Sequence, residues 1–342
     1  MTQEWLARLN EDPMPWLVED DADNPGVRYL ALKELLDRQP HDVEVVEARK
    51  TMMSTGPVPI ILNAQDPEGY WVEPGPGYNP KYRSTVWSVT MLAQLGADDS
   101  DPRVQKGCQY VLDHAIDKNG AFSASATPGG AILCLMGNLS AALLDLGLLG
   151  DERLRGAIEW MARAVTGEGI SPAEQTDAPV RYLKSAACAP GFCCSANDSM
   201  PCAWGAVKVM LAFSKLPEDA RTPLIQQAIA TGLDFLLSKN PAMADYPMGY
   251  STKPSQSWFR FGFPLFYVTD VLQNLEVLTS FGYGADPRLS AAMDLAASKQ
   301  DYQGCWKMEY TYNGKTWVDI EEKGKPSKWV TLRTLRVLKH TR

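Results

Sequence analysis

The chain has 342 residues and a formal net charge of −8, and its lysines and arginines do not cluster. Phosphate binding needs concentrated positive charge, so this composition argues against nucleic-acid binding and against docking on anionic membranes. No apolar run reaches the ~18 residues of a membrane-spanning helix, and the segment from Met1 to Trp5 lacks the basic and apolar regions of a secretion signal. We therefore expect a cytoplasmic protein without a transmembrane segment.

A repeated motif organises the chain. The pattern Gln-x-x-x-Gly-x-Trp occurs at residues 65–71 and again at residues 300–306, each time after a helix-like segment. The glycine permits a tight turn, and we expect the rings of Trp71 and Trp306 to plug the seam between neighbouring helices. Weaker copies lie around Gly120 and Gly169. Their spacing of about fifty residues indicates a two-helix repeat.

A second signal alternates with the first and predicts where helices stop and start. A glycine that ends one helix is followed by an aspartate that caps the next, in the segments 96–101, 147–151 and 282–286. Apolar residues recur at intervals of three and four, and no segment alternates long enough for a sheet. We therefore predict an all-α protein, and Pro- and Gly-rich stretches predict long loops at one rim.

These motifs and their period resemble the squalene-hopene cyclase and protein prenyltransferase β-subunit superfamily, over residues ~40 to 340. The segments 134–138 (Cys-Leu-Met-Gly-Asn), 201–205 (Pro-Cys-Ala-Trp-Gly), 261–264 (Phe-Gly-Phe-Pro) and 325–329 (Lys-Pro-Ser-Lys-Trp) are similar to short bacterial prenyltransferase and squalene oxidase repeat proteins. The resemblance implies an (α/α)6-type toroid. We expect one domain over residues 1–342, with residues 1–40 as a helical extension packing on the ring.

The catalytic devices of that superfamily do not carry over to this chain. Its cyclases use an Asp-x-Asp-Asp acid, whereas residues 98–101 read Asp-Asp-Ser-Asp and lie where a helix cap is expected. Its protein prenyltransferases bind zinc through Asp, Cys and His, and the single central histidine here is His114. Since one toroid hosts several chemistries, the resemblance predicts the fold and leaves the activity open.

Cysteines supply the strongest chemical signal. Cys188, Cys194 and Cys202 crowd one loop together with Cys193, and Cys134 comes from a neighbouring repeat. Thiolates bind Zn²⁺ tightly, so we predict a zinc site with Cys134, Cys188, Cys194 and Cys202 as ligands. Two alternatives stay open: the thiols are inert and buried, or Cys194 is a reactive nucleophile.

Aromatic residues predict a central cavity for a hydrophobic, isoprenoid-like substrate. The expected substrate-binding residues are Trp87, Trp204, Phe261, Phe263 and Asn138. The alternative is that these rings simply fill the core.

Three further side chains are candidates for catalysis. Arg260 is flanked by aromatic residues, and a buried guanidinium would need a carboxylate partner in the ligand or in the protein, such as Asp270. The phenols of Tyr78 and Tyr82 can orient a polar group or transfer a proton. The sequence thus favours a small-molecule enzyme, a lyase or isomerase first and an ester or lactone hydrolase second. The rival hypothesis is a non-catalytic binding or interaction module.

Overall fold

The computed structural model describes residues 9–341 and confirms an all-α protein. Thirteen α-helices account for most of the regular structure in these residues, and two antiparallel pairs of two-residue strands pin the loops. The helices are α1 (Met14–Val18), α2 (Pro25–Leu30), α3 (Val43–Ser54), α4 (Pro57–Asn63), α5 (Thr85–Gln94), α6 (Pro102–His114), α7 (Leu133–Asp145), α8 (Glu152–Thr166), α9 (Ala203–Ser214), α10 (Pro223–Leu237), α11 (Val271–Ser280), α12 (Ser290–Ser298) and α13 (Lys328–Lys339). Strand β1 (Cys193–Cys194) pairs with β2 (Met200–Pro201), and β3 (Trp306–Lys307) pairs with β4 (Pro326–Ser327). None of the described helices is long and apolar enough to cross a membrane.

Six helical elements form a closed inner ring. Helix α5 packs on α7, α7 on α9, α9 on α11 and α11 on α13, and α13 packs on α2 and on the π-helical turn Ala31–Leu35 that continues α2. Helix α2 meets the end of α5, where Gly26 approaches the carbonyl of Leu95. Inner helices such as α5 and α7 are buried on nearly all sides, as expected for helices enclosed by others. The outer layer consists of α3 with α4, and of α6, α8, α10 and α12, which completes an α/α toroid.

The two tryptophans of the repeated motif have equivalent, fully buried positions. The indole N–H of Trp71 donates to the carbonyl of Ile61 at 2.8 Å, and that of Trp306 donates to the carbonyl of Ala296 at 2.7 Å. The backbone N–H of each also donates to a threonine hydroxyl of the following inner helix. The prediction that these rings plug helix seams is confirmed.

The predicted caps are also confirmed. The side chains of Asp101, Asp151 and Asp286 each accept a hydrogen bond from the backbone N–H two residues later. These short turns lead from an inner to an outer helix, so they all lie at one rim of the ring. The long loops lead back from outer to inner helices and lie at the opposite rim, as the Pro- and Gly-rich stretches predict.

The last inner helix closes on the first through Trp329. Its indole N–H donates to the side chain of Asn24 at 2.9 Å, and its ring lies against Gly26. This contact closes the ring. Helix α2 therefore lies in the ring itself, although it belongs to the predicted extension of residues 1–40; the first eight residues of that extension, and residue 342, lie outside the described residues.

Helices α7 and α9 approach most closely at a glycine. A Cβ atom on Gly137 would lie 2.3 to 2.5 Å from the backbone carbonyl group of Lys208. Real Cβ contacts are longer, so only glycine fits here with the helices at this separation. The missing side chain brings the backbones of α7 and α9 together at Asn138 and Lys208.

Candidate functional site

An aromatic segment of the chain enters the ring and divides its interior. We call residues 261–268 the plug segment. The side chain of Gln94 binds the backbone of Leu265 twice, accepting from its N–H at 2.7 Å and donating to its carbonyl at 2.6 Å. The amide of Asn138 donates to the carbonyl of Phe266 at 3.1 Å. Buried polar groups thus hold an irregular backbone in the interior, where its own amides would otherwise lack partners.

Arg333 fixes the start of the plug segment. Its guanidinium donates to both carboxylate oxygens of Asp270 at 2.9 Å and to the carbonyl of Gly262 at 2.8 Å. It also donates to Glu276 at 2.8 Å. Arg333 and Asp270 are both buried, and such a charge is tolerated in the interior because every partner is in place.

A cavity of about 620 Å³ lies above the plug segment, at the centre of the ring. It opens at the rim of the short turns, and all six inner elements contribute side chains to its walls. The size falls within the range of small-molecule sites. Its lining includes side chains from every inner element, namely Lys33, Glu34, Thr90, Ala93, Asn138, Ala141, Ala142, Asp145, Leu211, Ser214, Lys215, Phe263, Leu265, Gln273, Glu276, Thr279, Ser280, Arg333, Arg336 and His340.

The lining changes with depth. Charged side chains surround the mouth, where Lys215 pairs with Asp145 at 2.7 Å and Arg336 pairs with Glu34. Below them the wall consists of small and apolar residues, among them Ala93 of α5, Ala141 and Ala142 of α7 and Leu211 of α9, together with hydroxyl side chains that are bonded within their own helices. The floor is the plug segment, with polar side chains around it. A ligand with an apolar body and a polar head group matches this sequence of layers.

A buried lysine orients one of the floor residues. Lys208 is 0% exposed, and its ammonium group donates to the side-chain oxygen of Gln273, which is 2% exposed and lines the cavity. Burial lowers the pKa of Lys208 to about 7. The contact identifies which end of the Gln273 amide is oxygen, so its NH2 group must face elsewhere.

The hydroxyl groups of the cavity wall are already engaged. Thr90, Ser214, Thr279 and Ser280 each donate a hydrogen bond to a backbone carbonyl of their own helix. Among the described residues, none of the four hydroxyls is hydrogen-bonded to a histidine, and Nδ1 of His340, which also lines the cavity, pairs with the carbonyl of Arg336. Serine or threonine becomes nucleophilic only when a base removes its proton. The hydrogen bonds of these four side chains therefore favour a structural role for them.

The cysteines predicted to bind zinc lie at the opposite rim, close to one another. The thiol of Cys202 is hydrogen-bonded to Cys134 and to Cys194, and Cys188 lies near Cys194. The hydrogen bond to Cys134 raises the pKa of Cys202 to about 12, and the hydrogen bond to Cys202 with burial raises the pKa of Cys194 further. Such thiols are protonated at neutral pH, which disfavours Cys194 as a nucleophile.

Metal binding at these thiols stays a prediction. Between residues 9 and 341, no group of three or more His, Cys, Asp or Glu side chains is arranged to hold a metal ion. We call Cys134, Cys202, Cys194 and Cys188 the thiol row, because each thiol neighbours the next and the four do not surround a common centre. Zinc would have to draw them together.

The predicted tyrosines lie at the same rim as the thiols. The rings of Tyr78 and Tyr82 pack on Trp87 with centroid distances of 5.4 and 5.3 Å, and the hydroxyl of Tyr267 donates to that of Tyr78 at 2.8 Å. Trp204 is half-buried at the start of α9. The structure thus brings the predicted cysteines and tyrosines to one rim, with the plug segment between them and the cavity.

The aromatic residues largely fill the interior instead of lining the cavity. Of the five predicted substrate-binding residues, Asn138 and Phe263 line the cavity, whereas Trp87, Trp204 and Phe261 do not. Phe263 stacks on Trp329 with a centroid distance of 4.2 Å. Aromatic rings gain from burial against one another, which explains why the expectation of an aromatic-lined cavity is wrong.

The expectation that Arg260 is buried is also wrong. Its side chain is exposed and makes no hydrogen bond or ion pair with the described residues. Asp270, the partner considered for it, is held by Arg333 from the last inner helix.

The sequence analysis missed Gln273, Glu276, Lys208 and Arg333. A signal for two of them was present: Gln273 and Glu276 lie three residues apart among the valines and leucines of the segment 271–278. Polar residues at that spacing share one helix face, and a polar face on a buried helix needs partners or a cavity.

Comparisons with known proteins give only distant structural similarity. No protein-family model matches the sequence, and curated proteins give no match either. Similar solved structures include an unsaturated glucuronyl hydrolase specific for heparin (9% identity, 93% of this chain and 85% of that chain, TM-score 0.46). Others are a protein from Actinoplanes (15%, 93% and 90%, 0.41) and the type II terpene cyclase MstE from Scytonema (14%, 82% and 95%, 0.31). Similarity this low carries no argument about the activity of this chain.

Proposed function

We propose that the chain is an enzyme that uses acid–base chemistry, as a lyase or isomerase, on an amphiphilic small molecule bound in the central cavity. One observation carries this proposal: all six inner elements contribute to a cavity of about 620 Å³ whose depth holds the carboxylate of Glu276. Buried, convergent polar groups in a preformed cavity are the usual mark of a small-molecule site.

The layers of the cavity support an amphiphilic substrate. The hydrocarbon body would lie against the alanines of α5 and α7 and against Leu211, as a hydrophobic substrate requires. Its polar group would lie at the floor, beside Asn138 and Gln273. The hydrophobic substrate expected from the sequence therefore keeps its apolar part and gains a polar head.

Glu276 is the candidate general base. Arg333 donates to its carboxylate at 2.8 Å, which fixes its orientation, and 15% of the side chain is exposed, on the cavity side. In the proposed step, Glu276 takes a proton from a carbon next to the polar head group. In a lyase, the electron pair of the broken C–H bond forms a C=C bond while the leaving group departs from the neighbouring carbon with its own bonding pair. In an isomerase, that pair forms a new C=C bond while an existing one shifts, and Glu276 returns the proton to the far carbon.

The second class considered, hydrolysis through a covalent intermediate, has less support. Such a reaction needs an activated nucleophile, and the wall hydroxyls donate to their own helices while the lining includes no cysteine. Proton transfer by a carboxylate needs neither an activated hydroxyl nor a cysteine.

A cavity-filling variant tests the proposal. Ala142→Phe places a ring in the middle of the cavity, and Ala230→Phe adds the same ring to the exposed surface of α10 as a matched control. In a fragment screen by ligand-observed NMR, we expect compounds that bind the wild type and the Ala230→Phe variant but not the Ala142→Phe variant. Compounds that bind all three equally would place the site outside the cavity and overturn the proposal.

Turnover is tested with Glu276→Gln, which keeps the size of the side chain. We expect this variant to bind the same compounds but to convert them at a rate at least ~100-fold lower, as for loss of a general base. Conversion at the wild-type rate would remove Glu276 from the mechanism. Binding without conversion in the wild type would instead indicate a non-catalytic binding module.

A further inference from the structure

Two amide groups at the floor of the cavity have hydrogen-bonding atoms without partners. In Gln273 the oxygen accepts from Lys208, and Nε2 has no partner among the described residues. In Asn138 the Nδ2 group donates to Phe266, and Oδ1 has none. Gln273 is 2% exposed and Asn138 is 6% exposed, so both side chains are more than nine-tenths buried.

These atoms face the cavity rather than being sealed in the protein. Fully enclosed polar atoms without a partner occur elsewhere, for example in Ser140 and Asn274, but not in Gln273 or Asn138. Both residues line the cavity. A buried donor or acceptor without a partner costs free energy. Because these two atoms are open to the cavity, we infer that a ligand or a water molecule completes their hydrogen bonds.

The partners on the protein side decide which atom faces the cavity. In its ammonium form Lys208 can only donate, so it binds the oxygen of Gln273 and leaves the NH2 group free. The carbonyl of Phe266 can only accept, so it binds the NH2 group of Asn138 and leaves the oxygen free. The floor therefore offers one donor group and one acceptor.

Both residues are connected to the plug segment, Asn138 through its side chain and Gln273 through its backbone. Asn138 binds Phe266 directly, and the backbone N–H of Gln273 donates to Asp270, whose other oxygen accepts from Gly262. Arg333 links that same glycine to Glu276.

We propose that the floor of the cavity is a binding subsite for a neutral carboxamide-type head group. This inference rests on the proposed function and specifies the substrate class. The head-group carbonyl accepts from Nε2 of Gln273, and its N–H donates to Oδ1 of Asn138. The carboxylate of Glu276 then faces the adjacent carbon. A carboxylate head group has no hydrogen for Asn138 and is repelled by Glu276, and an alcohol has a single oxygen for both contacts.

Lys208 is a positioning residue in this subsite. It does not line the cavity, and its contact with the oxygen of Gln273 keeps the NH2 group of that amide turned towards the ligand. Without it, the amide is free to rotate and present either end.

The experiment uses four probes with one apolar body: cyclohexanecarboxamide, cyclohexylmethanol, cyclohexanecarboxylate and cyclohexylmethylammonium. Dissociation constants are measured by NMR titration with the wild type and with the Ala142→Phe variant. We expect the carboxamide to bind at least roughly tenfold more tightly than the carboxylate, the scale of one unmade hydrogen bond. The Ala142→Phe variant should bind none of the four.

Two variants test the named residues. Gln273→Glu keeps the volume and the contact with Lys208 but removes the donor, so the carboxamide should lose roughly tenfold in affinity. Lys208→Met should reduce the preference for carboxamide over alcohol, whereas a purely structural role would leave that ratio unchanged.

The outcomes separate the two levels of the proposal. Probes that bind through the cavity without preferring the carboxamide would overturn the subsite and leave the proposed function standing. Probes that bind equally to the Ala142→Phe variant would overturn both. An unchanged carboxamide affinity in Gln273→Glu would remove Gln273 from the subsite.

Discussion

Arg333 and Asp270 form a two-point ion pair in the interior of the ring, with both N–O distances at 2.9 Å and both side chains buried. The pair joins α13 to the start of α11 and fixes the plug segment between them. Its role in stability can be separated from that of the cavity.

Arg333→Met should destabilise the protein by about 3–5 kcal/mol, because Asp270 would be left as an uncompensated buried charge. Arg333→Met combined with Asp270→Asn should recover part of the loss, since the charge is removed with its partner. Arg260→Met is the matched control, and as an exposed site it should change the free energy of unfolding by less than about 0.5 kcal/mol. Denaturant unfolding measures all three; equal effects at the two arginines would contradict the assignment.

Trp306→Ala should destabilise the protein by about 3–5 kcal/mol, since a fully buried ring and its hydrogen bond to Ala296 are lost. Tyr302→Ala removes a ring from the same loop that is 81% exposed, so thermal and denaturant unfolding should scarcely change. A loss below about 1 kcal/mol for Trp306→Ala would show that the motif does not hold the seam.

Glu321 should make stability depend on pH. Burial raises the pKa of this carboxyl to about 7, against hydrogen bonds from Ser327 and from the backbone of Lys328 that favour its charged form. Because the folded-state pKa lies above that of the unfolded chain, the contribution is full below about pH 4.5 and is lost as pH rises through about 7. The loss is on the order of 3 kcal/mol.

The Glu321→Gln variant cannot titrate at this position, so it should lose less stability than the wild type between pH 5 and pH 8. Unfolding free energies at the two pH values measure the difference. Asp21 and Lys328, which lie nearby and form an ion pair, are present in both proteins. Identical pH profiles would show that the folded-state pKa of Glu321 is not raised.

Zinc binding at the thiol row is tested by metal content. If the prediction from the sequence holds, protein purified without added metal contains near-stoichiometric zinc, and Cys202→Ser loses it while Cys305→Ser, outside the row, retains it. Because no metal-ready group is preformed in the described residues, zinc removal by a chelator should then alter the loop from Cys188 to Cys202. Metal-free protein with an unchanged melting temperature would refute the prediction.

The features predicted from the sequence are those set by short-range spacing. Trp71 and Trp306 follow a glycine turn by two residues, and Asp101 caps the helix that begins at the next residue, so local stereochemistry suffices. Arg260 shows the limit. Its aromatic neighbours indicated burial, but the residue that reaches Asp270 lies 63 positions further along the chain, on the helix that closes the ring.

The floor of the cavity shows the same limit. Asn138, Gln273 and Arg333 come from three inner helices. They line one cavity only because six inner elements close into a ring and the plug segment forms the floor inside it. Side-chain chemistry alone predicts that each needs a partner. Which partner it finds depends on the closed ring.

Gly137 sets the distance between α7 and α9 in that ring. Because the backbones of α7 and α9 are in contact at this position, any larger residue would push apart the two helices that carry Asn138 and Lys208. The next residue in the chain is Asn138, and the opposing carbonyl belongs to Lys208, so the missing side chain of Gly137 sets the distance between Asn138 and the helix that carries Lys208. A protein with alanine at 137 would keep the toroid but hold Asn138 further from α9, so the acceptor of the proposed subsite would move relative to Lys208 and the side chain that Lys208 orients.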